Sequence, residues 1–379
     1  MTKLLIATDT YFPKRDGVVV FLNKIIPKLV DKFDITILAP AYEEEIITIA
    51  NTQIIGLPVS KSLKLASYHS IQLSSKNLRR IKQAVKEADI VWSQDLVTVG
   101  ALAIYYAKKF KKPSINYVHQ ITEEHVADLL PFPRMLKPLS HFFIRKIVKY
   151  LYNKCDLLLV PYKRLAHELA DKNITTKKAV IKLGVDSQKF VPVKSKMLAK
   201  KALGIDPKYT VIGYCGRLSK EKDIRTLVRA YLRLKEFNKK IFLLLVGDGP
   251  EKNIGNIKKR NDIKITGFVS DVVPYLQAMD IFVLPSSTET TSLSTLEAMS
   301  CSLPAIVTKV GYIKEYIKDR ENGIFFPVHN DYVLRRKLEK LTNNEPGRRM
   351  LGQNARETVL EQFSWEKTVK QIRKALDMF

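Results

Sequence analysis

The sequence predicts an α/β protein with two doubly wound domains, each built on a parallel sheet. Short runs of leucine and β-branched residues alternate with helical patterns through both halves of the chain. Continuous apolar strands separated by helices are typical of parallel sheets covered on both faces. The chain has 379 residues, which is too long for one ordinary core and fits two domains of roughly 180 residues each.

The predicted strands form two series along the chain. The first series comprises residues 4–7, 35–38, 54–57, 90–92, 115–118 and 157–160. The second comprises residues 211–214, 241–246, 263–266, 281–284 and 305–307. A lysine-rich segment at 194–201 follows the boundary that we place between residues 188 and 189, so the domains are expected to span 1–188 and 189–364. We expect ligands at the carboxyl ends of the strands, and Pro27 predicts a kink in the first helix.

Composition limits the compartment and the partners. The net charge is +26, and basic side chains outnumber acidic ones 11 to 3 in residues 61–112 and 8 to 1 in residues 130–164. An anionic membrane surface or nucleic acid attracts such patches, and a lysine-rich coding bias is the alternative that needs no partner. Cys155, Cys215 and Cys301 show no metal-ligand spacing and predict buried thiols in a reducing compartment. The absence of 18 consecutive apolar residues and of a signal-peptide pattern predicts a cytoplasmic protein.

The segment from Glu289 to Pro304 carries the strongest functional signal. It places Glu289 in a loop and Glu297 on the helix that follows, while residues 288–294 offer hydroxyl and backbone N–H groups at the predicted helix start. Such a helix start binds anions, and carboxylates beside it accept hydrogen bonds from sugar hydroxyls. A phosphate site beside a polyol site indicates a sugar nucleotide. The alternative is an amphipathic helix whose Glu297 is merely solvated.

Arg217 and Lys222 follow an apolar strand at the turn into a helix. A diphosphate at this place meets two cations and a helix N-terminus, which together stabilise a nucleoside-diphosphate leaving group. The alternative is that both belong to the many surface basic residues of the chain.

These segments together resemble the retaining glycosyltransferases of family 4. The stretch Glu289–Glu297 resembles the E-x7-E element of that family, and Gly216–Lys222 looks like its donor-diphosphate element. Further likenesses lie at residues 243–250, 265–269, 311, 315, 322–323 and 363–366. In order and spacing these motifs cover nearly all of residues 4–370, so the set is far more specific than any one motif.

The resemblance implies the B-type fold of the family, with two Rossmann-like domains facing across a cleft. It implies an N-terminal acceptor-binding domain, a C-terminal nucleotide-sugar-binding domain, and a last helix, residues 365–379, that packs back on the first domain. It further implies a retaining hexosyltransferase that uses a UDP- or GDP-linked sugar, with no metal and no cofactor.

Roles for single residues also follow from the resemblance. Glu297 would hold the ribose hydroxyls and Glu289 would contact the donor sugar, while Arg217 and Lys222 would stabilise the leaving diphosphate. The remaining donor-binding positions are Gly17, Gly216, Gly267, Phe268, Thr291, Ser292 and Leu293.

The sequence departs from the family pattern at three positions. Ser292 and Ser302 stand where Gly is usual, and Asp16 replaces the first of two glycines that precede the first helix. A Cβ at Ser292 stands where the backbone normally approaches the ligand closely.

His119 follows a buried strand at its carboxyl end, where active-site groups of such sheets gather. A histidine in this place is more often structural than catalytic. By resemblance it is the active-site histidine that contacts the transferring sugar, with the leaving phosphate taking the acceptor proton. Glu123, His125 and Asp128 are acceptor-side candidates, and the resemblance argues against a metal cluster of His119, Glu123 and His125.

Residues 129–156 combine bulky apolar and basic residues at helical spacing. One predicted face carries Phe142, Phe143, Ile147, Tyr150 and Leu151, and the other carries Arg145, Lys146 and Lys149. Helices of this kind lie in a membrane interface, and the alternative is an ordinary helix packed on a domain core.

The acceptor is predicted from two likenesses to the lipid-glycosylating branch of the family. They are the acidic stretch after His119 and the Val160-Pro161 pair. We therefore expect a membrane lipid acceptor, such as diacylglycerol or a glycolipid, and a protein peripheral at the inner face of the membrane. Transfer to a surface polysaccharide or a soluble sugar is the alternative. A nucleic-acid-binding or regulatory protein on a degenerate transferase fold is the alternative of another class, although no nucleic acid is expected.

Overall fold

The computed structural model describes residues 1–13, 17–42, 47–65, 68–94, 96–119, 137–250, 253–254, 257 and 260–379. It divides into two units, one of Met1–Lys182 with Thr368–Phe379 and one of Leu183–Lys367. Each unit is an α/β structure on a largely parallel sheet, which confirms the predicted fold class.

The first unit contains one sheet whose central strand is the first strand of the chain. Its strands are β1 (Thr2–Ala7), β2 (Phe33–Ala41), β3 (Gln53–Leu65), β4 (Tyr68–Ile71), β5 (Ile90–Ser93), β6 (Ser114–Tyr117), β7 (Leu157–Val160) and β8 (Lys178–Val180). The strand order is β4-β3-β2-β1-β5-β6-β7-β8, and β3 with β4 is the antiparallel pair. The topology reverses between β1 and β5, which is where doubly wound sheets bind ligands.

The helices of the first unit are α1 (Gly17–Ile25), α2 (Ser75–Glu87), α3 (Val99–Lys109), α4 (Lys137–Tyr152) and α5 (Lys163–Asp171). Helix α1 ends just before Pro27, which lies in a 3-10 turn, Ile26–Lys28. The predicted kink at Pro27 is therefore a helix end, because proline supplies no N–H to continue an α-helix.

The second unit contains a sheet of parallel strands. They are β9 (Thr210–Cys215), β10 (Ile241–Val246), β11 (Ile263–Ile265), β12 (Ile281–Leu284), β13 (Ala305–Thr308) and β14 (Ile324–Phe326). Their order is β11-β10-β9-β12-β13-β14, so the topology reverses between β9 and β12. All residues of β10 and β12 are buried, as expected for central strands covered on both faces.

The helices of the second unit are α6 (Lys196–Ala202), α7 (Ile224–Phe237), α8 (Val273–Ala278), α9 (Leu293–Ser300), α10 (Asp331–Thr342) and α11 (Glu345–Gln362). Helix α12 (Trp365–Leu376) begins in the second unit and continues in the first. Every strand predicted from the sequence is present. The strands that the sequence did not predict are β4, β8 and β14, which are short and lie at or next to sheet edges, where no long apolar run is required.

The boundary between the units lies earlier than the predicted position at 188/189. Residues after Lys182 pack on the second unit, since Ser300 Oγ donates to the Phe190 carbonyl at 2.7 Å and Gln277 Nε2 donates to the Val191 carbonyl at 3.0 Å. Within the first unit, the end of α12 is held by Arg373, which pairs with Asp31 at 2.6 Å.

Ser302 has a φ of +57° directly after α9, in the left-handed region that favours glycine. We expect Ser302→Gly to raise the free energy of unfolding by about 0.5–1 kcal/mol and Tm by about 1–4 °C in thermal unfolding, because the strain of the Cβ outweighs the added chain entropy. Ser187→Gly, at a position without positive φ, is the control and should lower Tm. A lower Tm for Ser302→Gly would contradict this reading of its backbone.

Candidate functional site

The predicted donor residues of the second unit collect at the carboxyl ends of β9, β10 and β12, on either side of the point where the sheet topology reverses. Arg217 and Lys222 lie in the loop after β9, and Glu289 lies in the loop after β12. The fold therefore brings together segments that are far apart in sequence.

The loops after β9 and β10 touch through backbone alone. Gly216 and Gly247 have φ of +142° and +139°. A Cβ on Gly247 would lie 1.9 Å from the Gly216 carbonyl oxygen, and one on Gly249 would lie 2.4 Å from that of Leu218. Glycine is required at these positions because any side chain would push the two loops apart.

The loop after β9 is also tied to the loop after β12. The Ser287 backbone N–H and hydroxyl both donate to the Glu221 carbonyl, at 2.8 and 3.0 Å. Tyr214 donates from its hydroxyl to the Arg217 carbonyl at 2.8 Å, which leaves the Arg217 side chain 66% exposed. These contacts fix the backbone and leave the guanidinium exposed to solvent, where its ion pair with Glu221 spans 4.0 Å.

Lys222 and Glu289 form an ion pair that the sequence did not predict. Lys222 Nζ lies 2.6 Å from Glu289 Oε1, and the side chains are 19% and 9% exposed. Ser286 donates from its hydroxyl to the same oxygen at 2.8 Å. Gly311 supports the loop from behind, since a Cβ there would lie 1.8 Å from the Glu289 carbonyl oxygen.

The N-terminus of α9 offers free backbone N–H groups. Ser292 is its N-cap, with φ of −79° and a hydroxyl that accepts from the Thr295 N–H at 3.3 Å. In the described part of the chain, the N–H groups of Thr291, Leu293 and Ser294 have no hydrogen-bond partner. Ser292 thus needs no glycine conformation, and the unpaired N–H groups lie where the sequence analysis expects an anion site.

Glu297 lies one turn further along α9 and is largely enclosed. Burial raises its pKa to about 7, and the nearby Lys189 ammonium opposes this effect. Burial raises the pKa of the Cys215 thiol at the end of β9, and the Glu297 carboxylate adds to this effect. The carboxyl group is therefore close to half-ionised at neutral pH, unlike an ordinary solvated glutamate.

Gly267 and Phe268 follow β11 beside the same end of the sheet. Gly267 has a φ of +69° and bridges to Gly247, and among the described residues no atom lies within 4 Å of the place that a Cβ would take. Phe268 is 65% exposed. The open space around this turn suits a planar ligand.

His119, in the first unit, lies after β6 against aromatic residues. The ring centroids of Phe21 and Tyr117 lie 5.1 and 4.4 Å from that of His119, and burial lowers its pKa to about 3. His119 Nε2 lies 3.0 Å from Gln94 Oε1. The sequence analysis missed Gln94, although a polar residue directly after a buried strand was the available signal.

The loop after β1 differs from an anion-binding loop. The Asp9 carboxylate accepts hydrogen bonds from the N–H groups of Thr98, Val99 and Gly100 at 2.7–3.2 Å, so the N-terminus of α3 is already capped by a carboxylate. Gly17 begins α1 and is exposed.

The acceptor-side candidates Glu123, His125 and Asp128 lie outside the described residues, as does Asp16. Among the residues that are described, no three His, Cys, Asp or Glu side chains cluster as metal ligands would.

Helix α4 has a buried face and an unusually apolar exposed face. Ile144, Val148 and Leu151 are buried in the first unit, so Leu151 does not share one face with the other four residues of the predicted apolar face. The exposed apolar side chains are those of Leu139, Phe142, Phe143, Ile147 and Tyr150, each more than half exposed. The basic side chains Arg145, Lys146 and Lys149 are exposed among them, rather than on an opposite face.

Lysines lie over the rings of this exposed α4 face. Lys146 Nζ lies 4.5 Å from the Phe142 ring centroid, and Lys154 Nζ lies 4.8 Å from that of Tyr150. In the ranges that the structure describes, no helix is long and apolar enough to cross a bilayer.

Two known families match the sequence. The family described as "Glycosyl transferases group 1" matches residues 195–358, and the family described as "Glycosyltransferase Family 4" matches residues 15–189. The alpha-monoglucosyldiacylglycerol synthase of Streptococcus pneumoniae is 24% identical over 377 residues, which cover 90% of this chain and 83% of that protein. The N-acetyl-alpha-D-glucosaminyl L-malate synthase of Bacillus anthracis is 33% identical over 178 residues, or 45% of this chain and 46% of that protein.

Solved structures show the same fold. The Anabaena protein HepE in complex with UDP has a TM-score of 0.80 and 17% identity, with 100% of both chains covered. The same protein in complex with UDP-glucose has a TM-score of 0.78, again at 17% identity and full coverage.

Proposed function

We propose that this chain, which belongs to the family 4 kind of glycosyltransferases with two parallel-sheet α/β domains, moves a hexose from a UDP- or GDP-linked sugar to a membrane lipid. The acceptor class is diacylglycerol or a glycolipid. The observation that carries the donor half of the proposal is the convergence of Arg217, Lys222, Glu289 and the α9 N-terminus at the end of one sheet.

The donor diphosphate is assigned to the α9 N-terminus and the two cations. Free N–H groups and the positive end of the helix dipole favour a phosphate there, and the exposed Arg217 guanidinium suits a second phosphate oxygen. Lys222 then exchanges its contact with Glu289 for one with phosphate. Glu289 is released to accept hydrogen bonds from the hexose hydroxyls, which replaces the charge partner that it loses.

The nucleoside is assigned to the space between Glu297 and the Gly267–Phe268 turn. An ionised Glu297 accepts hydrogen bonds from both ribose hydroxyls, and the base lies at the open turn after β11. Either a UDP or a GDP donor satisfies this assignment.

The reaction is proposed to retain the anomeric configuration. The bond between the anomeric carbon and the diphosphate oxygen breaks as the acceptor hydroxyl attacks from the same face, and the hydroxyl proton passes to the departing phosphate oxygen. Arg217, Lys222 and the α9 N–H groups stabilise the charge that develops on the leaving group. His119 is assigned to a hydrogen bond with the transferred hexose, as a neutral group because its pKa is lowered to about 3. The proposal includes no metal and no cofactor.

The lipid acceptor is supported by α4 and by the likeness to the pneumococcal lipid glucosyltransferase. The exposed apolar side chains of α4 suit insertion at the level of lipid headgroups. Arg145, Lys146 and Lys149 each gain about 1 kcal/mol near an anionic membrane surface. Peripheral attachment to the inner face of the membrane follows from this assignment.

The test measures hexose transfer to diacylglycerol in vesicles with and without anionic lipid. We expect Phe143→Ser combined with Ile147→Ser to lower vesicle binding and lipid transfer at least tenfold, because the apolar face of α4 is lost. Hydrolysis of the nucleotide sugar without vesicles should stay unchanged. Leu73→Ser combined with Tyr105→Ser, which alters two exposed apolar residues elsewhere in the first unit, is the matched control.

Transfer to a soluble acceptor is the second candidate function. It is favoured by the likeness to the N-acetyl-alpha-D-glucosaminyl L-malate synthase of Bacillus anthracis. The lipid acceptor would be excluded if the α4 variants and the wild type transfer hexose equally to a soluble acceptor and form no product on lipid. That result would support the soluble acceptor. Sedimentation with vesicles and with oligonucleotides at two salt concentrations distinguishes the two transferase candidates from a nucleic-acid-binding role.

A further inference from the structure

Gln94 is a buried polar residue at the point where the sheet topology of the first unit reverses. It follows β5 directly, it is fully buried, and its backbone N–H donates to the Ala7 carbonyl at the end of β1 at 2.9 Å. The backbone of Gln94 is therefore fixed by the two central strands, and its side chain starts from a rigid position.

The side chain of Gln94 is only half satisfied. Its Oε1 lies 3.0 Å from His119 Nε2, whereas its Nε2 is buried and has no hydrogen-bond partner among the described residues. A buried donor without a partner is unfavourable, and an apolar side chain of the same size would remove it but would leave His119 Nε2 without its partner. Among the described residues, the glutamine at position 94 is therefore explained by its contact with His119.

Among the described residues, the two rings that pack against His119 are uncharged, so the contact with Gln94 sets which imidazole nitrogen carries the proton. Phe21 from α1 and Tyr117 from β6 pack against the ring, and burial raises the pKa of Tyr117 well above its usual value, so both are uncharged at neutral pH. A neutral imidazole carries its proton on one nitrogen, and the hydrogen bond that it makes selects which one. With Gln94 Oε1 as acceptor, the proton lies on Nε2 and the lone pair on Nδ1.

We propose that Gln94 is a positioning residue that holds His119 as the Nε2-protonated tautomer, with Nδ1 as the acceptor for a hydroxyl of the transferred hexose. This inference rests on the proposed function for the role of His119. The fixed amide sets both the plane of the imidazole ring and its direction of hydrogen bonding, so that His119 accepts from the sugar and does not donate a proton to it.

The first experiment is nitrogen-15 NMR of the histidine side chains between pH 6 and 8, with His119→Gln to assign the signal. The wild type should show the Nε2-protonated tautomer alone. Gln94→Met, of similar size, should give a mixture of tautomers, and Gln94→Glu should raise the pKa of His119 because a carboxylate then faces Nε2. Asn77→Met, at another buried polar residue of the first unit, should leave the His119 signal unchanged.

Kinetics and unfolding complete the test. Gln94→Met should lower kcat about 10- to 100-fold with little change in KM, because a misoriented ring affects the reacting geometry more than ground-state binding. Its Tm should change little, since the variant removes the unpaired Gln94 donor but leaves His119 Nε2 without its partner. Gln94→Glu should retain more activity at pH 8 than at pH 6, because its His119 is charged at the lower pH.

An Nδ1-protonated wild type, or a Gln94→Met variant with an unchanged tautomer and kcat within twofold, overturns the inference. Failure of the proposed function gives a different result. In that case neither the wild type nor His119→Gln transfers hexose, or both transfer it at the same rate, while the tautomer still changes with residue 94.

Discussion

Lys222→Ala is expected to lower kcat about 100- to 1,000-fold, because a cation that stabilises the leaving diphosphate is worth this much in a partly buried site. Lys222 is 19% exposed and lies in a loop fixed to the strand end by Ser287, so no other lysine of the loop can replace it without moving the backbone. Hexose transfer and nucleotide-sugar hydrolysis measure the loss. Lys220→Ala, at an exposed position of the same turn, is the matched control and should act like the wild type.

Loss of Lys222 also leaves the Glu289 carboxylate without its charge partner, which endangers the fold. The double variant Lys222→Ala with Glu289→Gln removes that unpaired charge, and it should regain Tm but not activity. In a thermal-shift panel of nucleotides, UDP or GDP at 100 times its Kd should stabilise the wild type by about 2.7 kcal/mol. Equal stabilisation of the wild type and both variants would exclude Lys222 from the donor site.

The affinity for a nucleotide sugar is expected to rise roughly tenfold between pH 6 and 8, because only the ionised form of Glu297 accepts hydrogen bonds from both ribose hydroxyls. Burial raises the pKa of Glu297 to about 7, so at pH 6 most molecules must release a proton when the ligand binds. In the free protein, the raised pKa of Glu297 makes the folded state less stable as pH rises, whereas the affinity for the ligand increases. Between the ordinary value near 4.5 and 7, the folded state holds a proton that the unfolded state lacks, so stability falls as pH rises through this range.

Calorimetry in buffers of different ionisation enthalpy measures the proton release directly. UDP-glucose or GDP-mannose is the suitable ligand, since a substituted diphosphate does not itself titrate in this range. Glu297→Gln should bind about 10- to 100-fold more weakly, without proton release, because a charge-assisted hydrogen bond is lost. The two neighbouring thiols do not titrate between pH 6 and 7.5, since burial raises the pKa of Cys301 to about 12 and that of Cys215 further still. An equal pH dependence in Glu297→Gln would assign the proton to another group.

The candidate donor residues could be named from the sequence because family motifs and helix-start chemistry lie in continuous segments. Glu289 and Glu297 lie on one loop and its helix, so their relation is local in sequence. The ion pair of Lys222 with Glu289 was not predictable, since it joins the ends of β9 and β12 and depends on the order of strands in the sheet. The negative φ and the capping hydrogen bond of Ser292 make it an ordinary helix start, and the effect of its Cβ on ligand approach stays a prediction.

The roles of Gln94 and of the α4 side chains could also not be predicted from the local sequence. Nothing in the local sequence distinguishes Gln94 from other polar residues after strands, and its meaning comes from the adjacency of β5 and β6, which places it beside His119. In α4, helical spacing predicted an apolar face and a basic face. Which apolar residues pack inward depends on the neighbours of the helix, and Ile144, Val148 and Leu151 were selected over Phe143 and Ile147.

The amino-acid sequence by itself determined the two parallel-sheet domains and the central strands, and it supplied the candidate donor-binding residues, because hydrophobic periodicity and short motifs are encoded in neighbouring positions. Only the tertiary structure decided which charges are paired, which carboxyl group is buried enough to titrate near neutrality and which amide orients His119. Those properties depend on distances and burial between segments remote in the chain, and strand order sets them.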